Sequence, residues 1–211
     1  MTYQKSLVII KHDGVSRGII GEIIQRFERI GLKLCAMKLV EATEEMGEKH
    51  YPTSKEWLET VGNRTLDEYK EKGIDPIKRM GTDNALEIGK IIKQWNVEYL
   101  TAGPVLAMVF EGPDAIKLIR KHVGSTVPAL AAPGTIRGDY SFDNADLAND
   151  LGRPFYNLIH ASGNPEEAEF EINLWFSKDE IFDNYSPVSH KAMGYSGKFA
   201  SKIKKTTEKK S

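Results

Sequence analysis

The sequence predicts an α/β fold in which helices cover a four-stranded antiparallel sheet, with an added helical insertion. Three observations predict it. Apolar runs of strand length occur at Ser6 to Lys11, Leu32 to Glu41 and Val105 to Phe110, and again at Leu158 and Ile159. Segments with apolar residues at helical spacing follow the first, third and fourth runs. The order is strand, helix, strand, helical segment, strand, helix, long loop, strand, helix. It holds two strand–helix–strand units, the arrangement of a ferredoxin-like βαββαβ sandwich.

In chain order, the first strand ends at Lys11, and Asp13-Gly14 marks a turn. From Gly18, Ile19, Ile20, Ile23, Ile24, Phe27 and Ile30 recur at helical spacing until Gly31 stops the helix. In the second strand Leu34, Ala36 and Lys38 fall on one side, and Cys35, Met37 and Leu39 on the other. Thr43 caps a helix that runs to His50. Residues 54–95 are rich in charge, with glycines at 62, 73, 81 and 89, and read as several short helices. Trp57, Leu58, Val61, Leu66 and Tyr69 would pack one of them; Leu86, Ile88, Ile91, Ile92 and Trp95 would pack another.

After the third strand, a helix places Ala115, Ile116, Leu118 and Ile119 inward, and Gly124 to Asp150 reads as a long irregular loop. Leu158 and Ile159 end the fourth strand, so His160 and Ser162 should follow where it leaves the core. Asn164-Pro165-Glu166-Glu167 is a strong helix start: a cap, proline at the first helical position and a glutamate at the third. Ala168, Ile172, Trp175 and Phe176 form its apolar face. Glu171 lies at the margin of that face, free to point back toward the strand end.

The chain of 211 residues, 40% apolar and 28% charged, has ordinary globular composition. Its net charge of −1 offers no bulk attraction to nucleic acid or an anionic membrane. The exception is the stretch 201–211, where five lysines face one glutamate and reach +4 against −5 for the rest. Residues 1–200 are expected as one domain and 201–211 as a basic, disordered tail that leaves a secondary nucleic-acid contact open. Cys35 is the only cysteine, so intramolecular disulfides and cysteine-pair zinc sites are excluded; packing is its expected role. No apolar run is long enough for a membrane span, and Met1 leads directly into a strand without a signal peptide, so a cytoplasmic location is expected.

Phosphate chemistry needs cations, neutral donors and room for in-line attack. Lys11, Arg120, Thr126, Arg137 and Asn157 are residues of those types. A histidine at a strand terminus with a carboxylate behind it has the form of a nucleophile with an orienting partner. Each piece alone has an ordinary structural explanation: a packed histidine, a solvated cation, a threonine capping a turn. Gly14 and Gly18 lack the Gly-Lys-Ser/Thr ending of a phosphate-binding loop, and no carboxylate or histidine cluster has metal-ligand spacing.

Lys11-His-Asp-Gly-Val15, Arg17-Gly18, Gly21-Glu-Ile-Ile24, His50-Tyr51, Gly103-Pro104-Val105, Pro133-Gly-Thr-Ile-Arg-Gly-Asp139 and Asn157-Leu-Ile-His-Ala-Ser162 occur in that order. With Glu169, Glu171, Leu174, Trp175 and Phe176, the set resembles nucleoside diphosphate kinase. The resemblance runs from near the N-terminus to about residue 176. It implies a ping-pong enzyme in which a histidine takes a phosphoryl group from a nucleoside triphosphate and gives it to a nucleoside diphosphate. His160 matches that histidine, Glu171 the glutamate that orients it, and Ser162 the hydroxyl behind them. Lys11, Tyr51, Arg120, Thr126, Arg137 and Asn157 match positions that contact the phosphates and sugar. The resemblance further implies magnesium carried by the nucleotide phosphates without a protein-built metal site, and a homo-oligomer, tetramer or hexamer.

The chain departs from the family at His12, where proline is usual, and at Ala161 and Gly163, where glycine and aspartate flank the serine. Two insertions stand out: a helical one at roughly 54–98, and a loop at roughly 141–153. By the resemblance, the first falls where the family holds the base, and Trp57 is the nearest candidate for a stacking aromatic. The alternative reading is a nucleotide- or RNA-binding module of the same fold that has lost turnover. RNA-binding sheets of this type use exposed strand aromatics, and here Phe110 is the clear strand aromatic.

Overall fold

The computed structural model describes residues 3–151 and 153–192. The basic stretch 201–211 lies outside them. Strands β1 (Tyr3–Ile10), β2 (Lys33–Glu41), β3 (Pro104–Pro113) and β4 (Ile159–Ala161) form one sheet in the order β2-β3-β1-β4, every neighbouring pair antiparallel. This is the predicted ferredoxin-like topology. Leu7 to Ile10 and Val105 to Phe110 are buried on both faces, because helices cover both sides of the two central strands.

Helices α1 (His12–Ser16) and α2 (Ile20–Arg29) follow β1. The expected Asp13-Gly14 turn is thus the inside of a short helix, where Gly14 sits against Ile10 and leaves no room for a side chain. α2 packs Ile23 and Phe27 into one core together with Ala115 and Ile119 of α7 (Ala115–Val123). On β2 a bulge at Cys35 breaks the expected alternation: Leu34 pairs with Phe110, and Ala36 already pairs with Val109. Cys35 and Ala36 therefore both pack into the second core, while Met37 and Leu39 stand 52% and 61% exposed on the edge strand. The Cys35 thiol packs as expected and also donates to Glu111 Oε2 at 3.2 Å.

Thr43 caps α3 (Glu44–His50) by accepting from the Met46 amide. The next segment corrects the expectation of several short helices. It is an antiparallel pair of long helices, α4 (Lys55–Glu71) and α6 (Ala85–Thr101), joined by the short α5 (Pro76–Met80). Gly62 and Gly89 look like breaks in the sequence but mark the crossing. A Cβ on Gly62 would stand 1.8 Å from the Ala85 carbonyl oxygen, and one on Gly89 2.1 Å from that of Leu58. The glycines remove side-chain bulk where the backbones touch; of the apolar residues expected to pack these helices, Leu58, Tyr69 and Ile88 are buried and the others half-buried.

Beyond α7, the expected irregular loop contains α8 (Ile136–Tyr140) and α9 (Ala145–Asp150). After β4, α10 (Pro165–Trp175) starts as predicted: Asn164 accepts from the Glu167 amide, and the Glu167 carboxylate reaches back to the Gly163 amide. Ala168, Ile172, Trp175 and Phe176 are all buried, the last three in the core on the second face of the sheet. A last short helix, α11 (Val188–Ala192), closes the described chain. No helix among the described residues is long and apolar enough to cross a membrane. Among the described residues the strands present no stack of exposed aromatics either. Phe110 is fully buried against Phe27, and Tyr3, which the structure adds to the strand aromatics, meets His190.

Candidate active site

His160 lies inside β4, not beyond it: it pairs with Ile9 across the sheet. The pleat sends Ile159 and Ala161 into the core beneath α2 and α7, and His160 to the other face, beneath α3 and α10. There its Nε2 meets Glu171 Oε1 at 2.8 Å. The second oxygen of Glu171 accepts from Ser162 Oγ at 2.6 Å, and Ser162 Oγ accepts from the Leu7 amide at 3.0 Å. A backbone N–H of the central strand thus anchors the serine, the serine anchors the carboxylate, and the carboxylate anchors the imidazole. Glu171 and Ser162 are buried, while the His160 side chain keeps about a fifth of its surface exposed. With Nε2 engaged, Nδ1 is the ring nitrogen left for chemistry.

Buried His50 sits edge-on to His160, with ring centroids 4.4 Å apart. The Trp175 indole N–H donates to His50 Nδ1 at 3.3 Å, which puts the proton of a neutral His50 on Nε2. Burial first, then the neighbouring His160 and Lys11, hold its pKa well below the usual range, so it stays neutral. His50 was visible in the sequence only as half of His50-Tyr51, with Tyr51 alone given a role. Tyr51 ends α3 half-buried, its ring edge-on to His50, and burial raises its phenol pKa.

The turn that leads into β4 is strained. Leu158 is fully buried at φ +63°, a conformation that costs a non-glycine residue about 1–3 kcal/mol. Its surroundings over-determine it. Tyr99 Oη accepts from the Asn157 and Leu158 amides at 2.9 and 3.1 Å. The Lys11 amide donates to the Leu158 carbonyl at 2.8 Å. Arg137 donates to the carbonyls of Asn157, Ile159, Gly124 and Ser125 at 2.6 to 3.1 Å. Four of the five N–H groups of that guanidinium are thereby turned to the backbone. Burial lowers the Arg137 pKa to about 10, still charged at neutral pH.

Lys11 leaves the end of β1 into this corner. Its Nζ donates to Asn157 Oδ1 at 3.0 Å and stands 4.1 Å from the Tyr99 ring centroid. Burial first and Arg137 second lower its pKa to about 7. Asp13 opposes the shift, and the Tyr99 ring face also favours the ammonium form. Asn157 in turn donates from Nδ2 to the Thr126 carbonyl at 3.3 Å. His12 fills the corner between Tyr99 and Tyr156, edge-on to both.

These groups open onto one cleft of about 1060 Å³, ample for a nucleotide. Lys11, Tyr51, Arg120, Thr126, Arg137, Asn157 and His160 all line it, so the structure brings together the sequence-predicted contact set. Arg120 and Thr126 are exposed on its wall. Trp57 and Val61 of α4 line the same cleft. Ser162 and Glu171 lie behind His160, outside it. Among the described residues, His50, His160 and Glu171 are the one group of side chains spaced to surround a metal ion, and all three already have hydrogen-bonding or ring partners. It is not the oxygen-rich octahedral cage that magnesium requires.

The sequence matches the family model for nucleoside diphosphate kinase over residues 4–59 and 88–181. The residues between, 60–87, fall within the α4–α6 hairpin, inside the helical insertion read from the sequence. The chain is 50% identical over 183 residues to a nucleoside diphosphate kinase of Pyrobaculum aerophilum, covering 87% of this chain and all of the relative. It is 43% identical over 178 residues to one of Archaeoglobus fulgidus, covering 84% and 89%. The solved structure of the NDP kinase from Pyrobaculum aerophilum superposes with a TM-score of 0.84 at 49% identity, over 86% of this chain and all of that one. A transition-state mimic of the Borrelia burgdorferi enzyme with bound vanadate and ADP gives 0.70 at 33% identity, over 90% and 96%. By sequence, by fold and by the ordered set of residues around His160, the chain belongs to the nucleoside diphosphate kinase family of phosphotransferases.

Proposed function

We propose that the protein moves the γ-phosphoryl group of a nucleoside triphosphate to a nucleoside diphosphate in two half-reactions, with His160 as the carrier. The observation that carries this reading is the 2.8 Å bond from His160 Nε2 to Glu171. It fixes the tautomer in which Nδ1 holds the lone pair, and it gives the positive charge that develops on the ring an anionic partner. In the first half-reaction Nδ1 attacks the γ-phosphorus in line, the bond to the β-phosphate oxygen breaks, and the diphosphate leaves. In the second, a terminal oxygen of the acceptor diphosphate attacks the phosphohistidine, and the N–P electron pair returns to Nδ1. The Nε2 proton stays with the Glu171 hydrogen bond throughout, and Ser162 keeps that carboxylate in place.

Lys11, Arg120 and the remaining N–H of Arg137 would neutralise phosphate oxygens, with Thr126, Asn157 and Tyr51 as neutral donors. Such contacts carry no base identity, which suits a broad choice of nucleotide. Trp57 would face the base. Magnesium would come with the nucleotide as part of the substrate and supply countercharge to its phosphates beside Lys11, Arg120 and Arg137. A cleft that takes a diphosphate accords with the vanadate- and ADP-bound Borrelia relative.

A homo-oligomer, tetramer or hexamer, belongs to the same reading; the exposed apolar edge of β2 at Met37 and Leu39 supports it. A cytoplasmic location belongs to the same reading.

The test is incubation with γ-labelled ATP. The wild type should retain an acid-labile, base-stable label, and His160→Ala should retain none. Normal labelling of His160→Ala overturns the assignment.

A further inference from the structure

The loop insertion and the tyrosine that follows it are tied to the phosphate corner by a continuous stack. Tyr99, near the end of α6, supports the corner twice: its ring face lies under Lys11 Nζ, and its hydroxyl accepts the Asn157 and Leu158 amides. Tyr156 stacks on Tyr99 at 4.7 Å and 17°. His12 wedges both rings from the side at 5.3 and 5.5 Å.

The insertion holds Tyr156 on three sides. Buried Asp143 accepts from the Tyr156 amide at 2.6 Å, and Ser141 Oγ donates to the Tyr156 carbonyl at 3.0 Å. The Arg153 guanidinium lies 4.4 Å from the Tyr156 ring centroid and closes the loop on Asp143 with bonds of 2.6 and 3.3 Å. Asp143 stands near the start of the insertion and Arg153 at its end, so α9 is strung between two anchors that meet at Tyr156. Neither tyrosine is among the residues lining the cleft, so both act through Lys11 and Asn157.

We propose that Tyr156 and Tyr99 are positioning residues for Lys11 and Asn157, and that the 141–153 insertion serves as the brace that holds the pair against the phosphate site. The inference rests on the phosphoryl-transfer reading of that site and adds to it a role for the insertion. It accounts for three features together: aromatic Tyr156 directly before Asn157, histidine at position 12, and an insertion whose two ends bond to each other.

The experiment compares Tyr156→Leu, which keeps apolar bulk and removes the ring, with Tyr156→Phe, which keeps the stack. ADP affinity is measured by calorimetry, and the KM for the acceptor diphosphate and kcat by turnover. Loss of the stack should weaken ADP binding and raise KM about tenfold, the scale of an aromatic pair coupled to a cation–π contact, with kcat within about threefold. Tyr156→Phe should stay within about twofold of the wild type. Equal ADP affinity in wild type, Tyr156→Leu and Tyr156→Phe overturns the proposal. So does a fall in melting temperature with ADP affinity unchanged, which would make Tyr156 a packing residue only.

Should Tyr156→Leu not fold, Asp143→Asn carries the comparison: it weakens the anchor while leaving every ring in place. It should lower ADP affinity about threefold, and no change overturns the brace. Failure of the phosphoryl-transfer reading looks different. The wild type would then take no label from γ-labelled triphosphate, whatever the variants do to ADP affinity.

Discussion

Glu171→Gln isolates what the carboxylate does for His160, because the amide matches its size. In the wild type one oxygen meets His160 Nε2 at 2.8 Å and the other accepts from Ser162 at 2.6 Å. The amide can keep its oxygen toward His160 only by turning its NH₂ toward Ser162. That hydroxyl must then give up its proton donation to residue 171; the Leu7 carbonyl, 3.4 Å away, is the alternative acceptor. The shape survives and the charge does not. A hydrogen bond to a charged group contributes about 1.5–3 kcal/mol and a neutral one about 0.5–1.5, so roughly 1–1.5 kcal/mol of support for the developing imidazolium is lost. This corresponds to labelling of His160 slowed by about five- to tenfold. The opposite amide orientation would set an N–H against Nε2–H and favour the tautomer protonated on Nδ1, a larger loss. Rapid-quench measurement of the first turnover with γ-labelled triphosphate reads the step directly. A variant that labels within twofold of the wild type would refute the charge argument and leave Glu171 a spacer.

Ser162→Ala leaves the Leu7 amide and one Glu171 oxygen buried without this partner, and should destabilise the fold by about 2–4 kcal/mol in urea unfolding; a loss under about 0.5 kcal/mol would contradict the relay. Lys11, lowered to about 7, is largely neutral at pH 8; a bound polyphosphate favours its ammonium form and raises the pKa, so ADP binding at pH 8 should take up protons. Calorimetry in buffers of different ionisation enthalpy measures that uptake, and its persistence in Lys11→Met would assign it elsewhere. Gly62→Ala should destabilise by about 1–3 kcal/mol on thermal melting, although alanine normally improves a helix interior, because its Cβ would stand 1.8 Å from the Ala85 carbonyl. A stabilised variant would show that the helices part easily.

Local signals carried much of the fold. Apolar runs of strand length and helices with 3.6-residue spacing follow from short-range sterics and burial, so β1, α2, β3, α7 and α10 could be read in order, down to the Asn164 cap. Single glycines misled where long-range contact decided. Gly62 and Gly89 look like helix breaks until α4 and α6 are laid against each other, and the Cys35 bulge is invisible until β2 is paired with β3. His160 was legible as a histidine near a strand end with Glu171 one helix away; the ordered motifs held Lys11, Arg137 and Asn157, and Arg120 and Thr126 joined them by residue type and by the resemblance.

Only the tertiary structure showed which nitrogen of His160 is engaged, that Arg137 turns most of its N–H groups to the strained Leu158 turn, and that His50, Tyr99 and Tyr156 stand around the site. The reason is physical. Residue type and spacing determine which donors, cations and nucleophiles exist and which element carries each. Their partners come from other elements, 58 positions away for Tyr99 and Asn157 and 146 for Lys11 and Asn157, and no local periodicity encodes such distances.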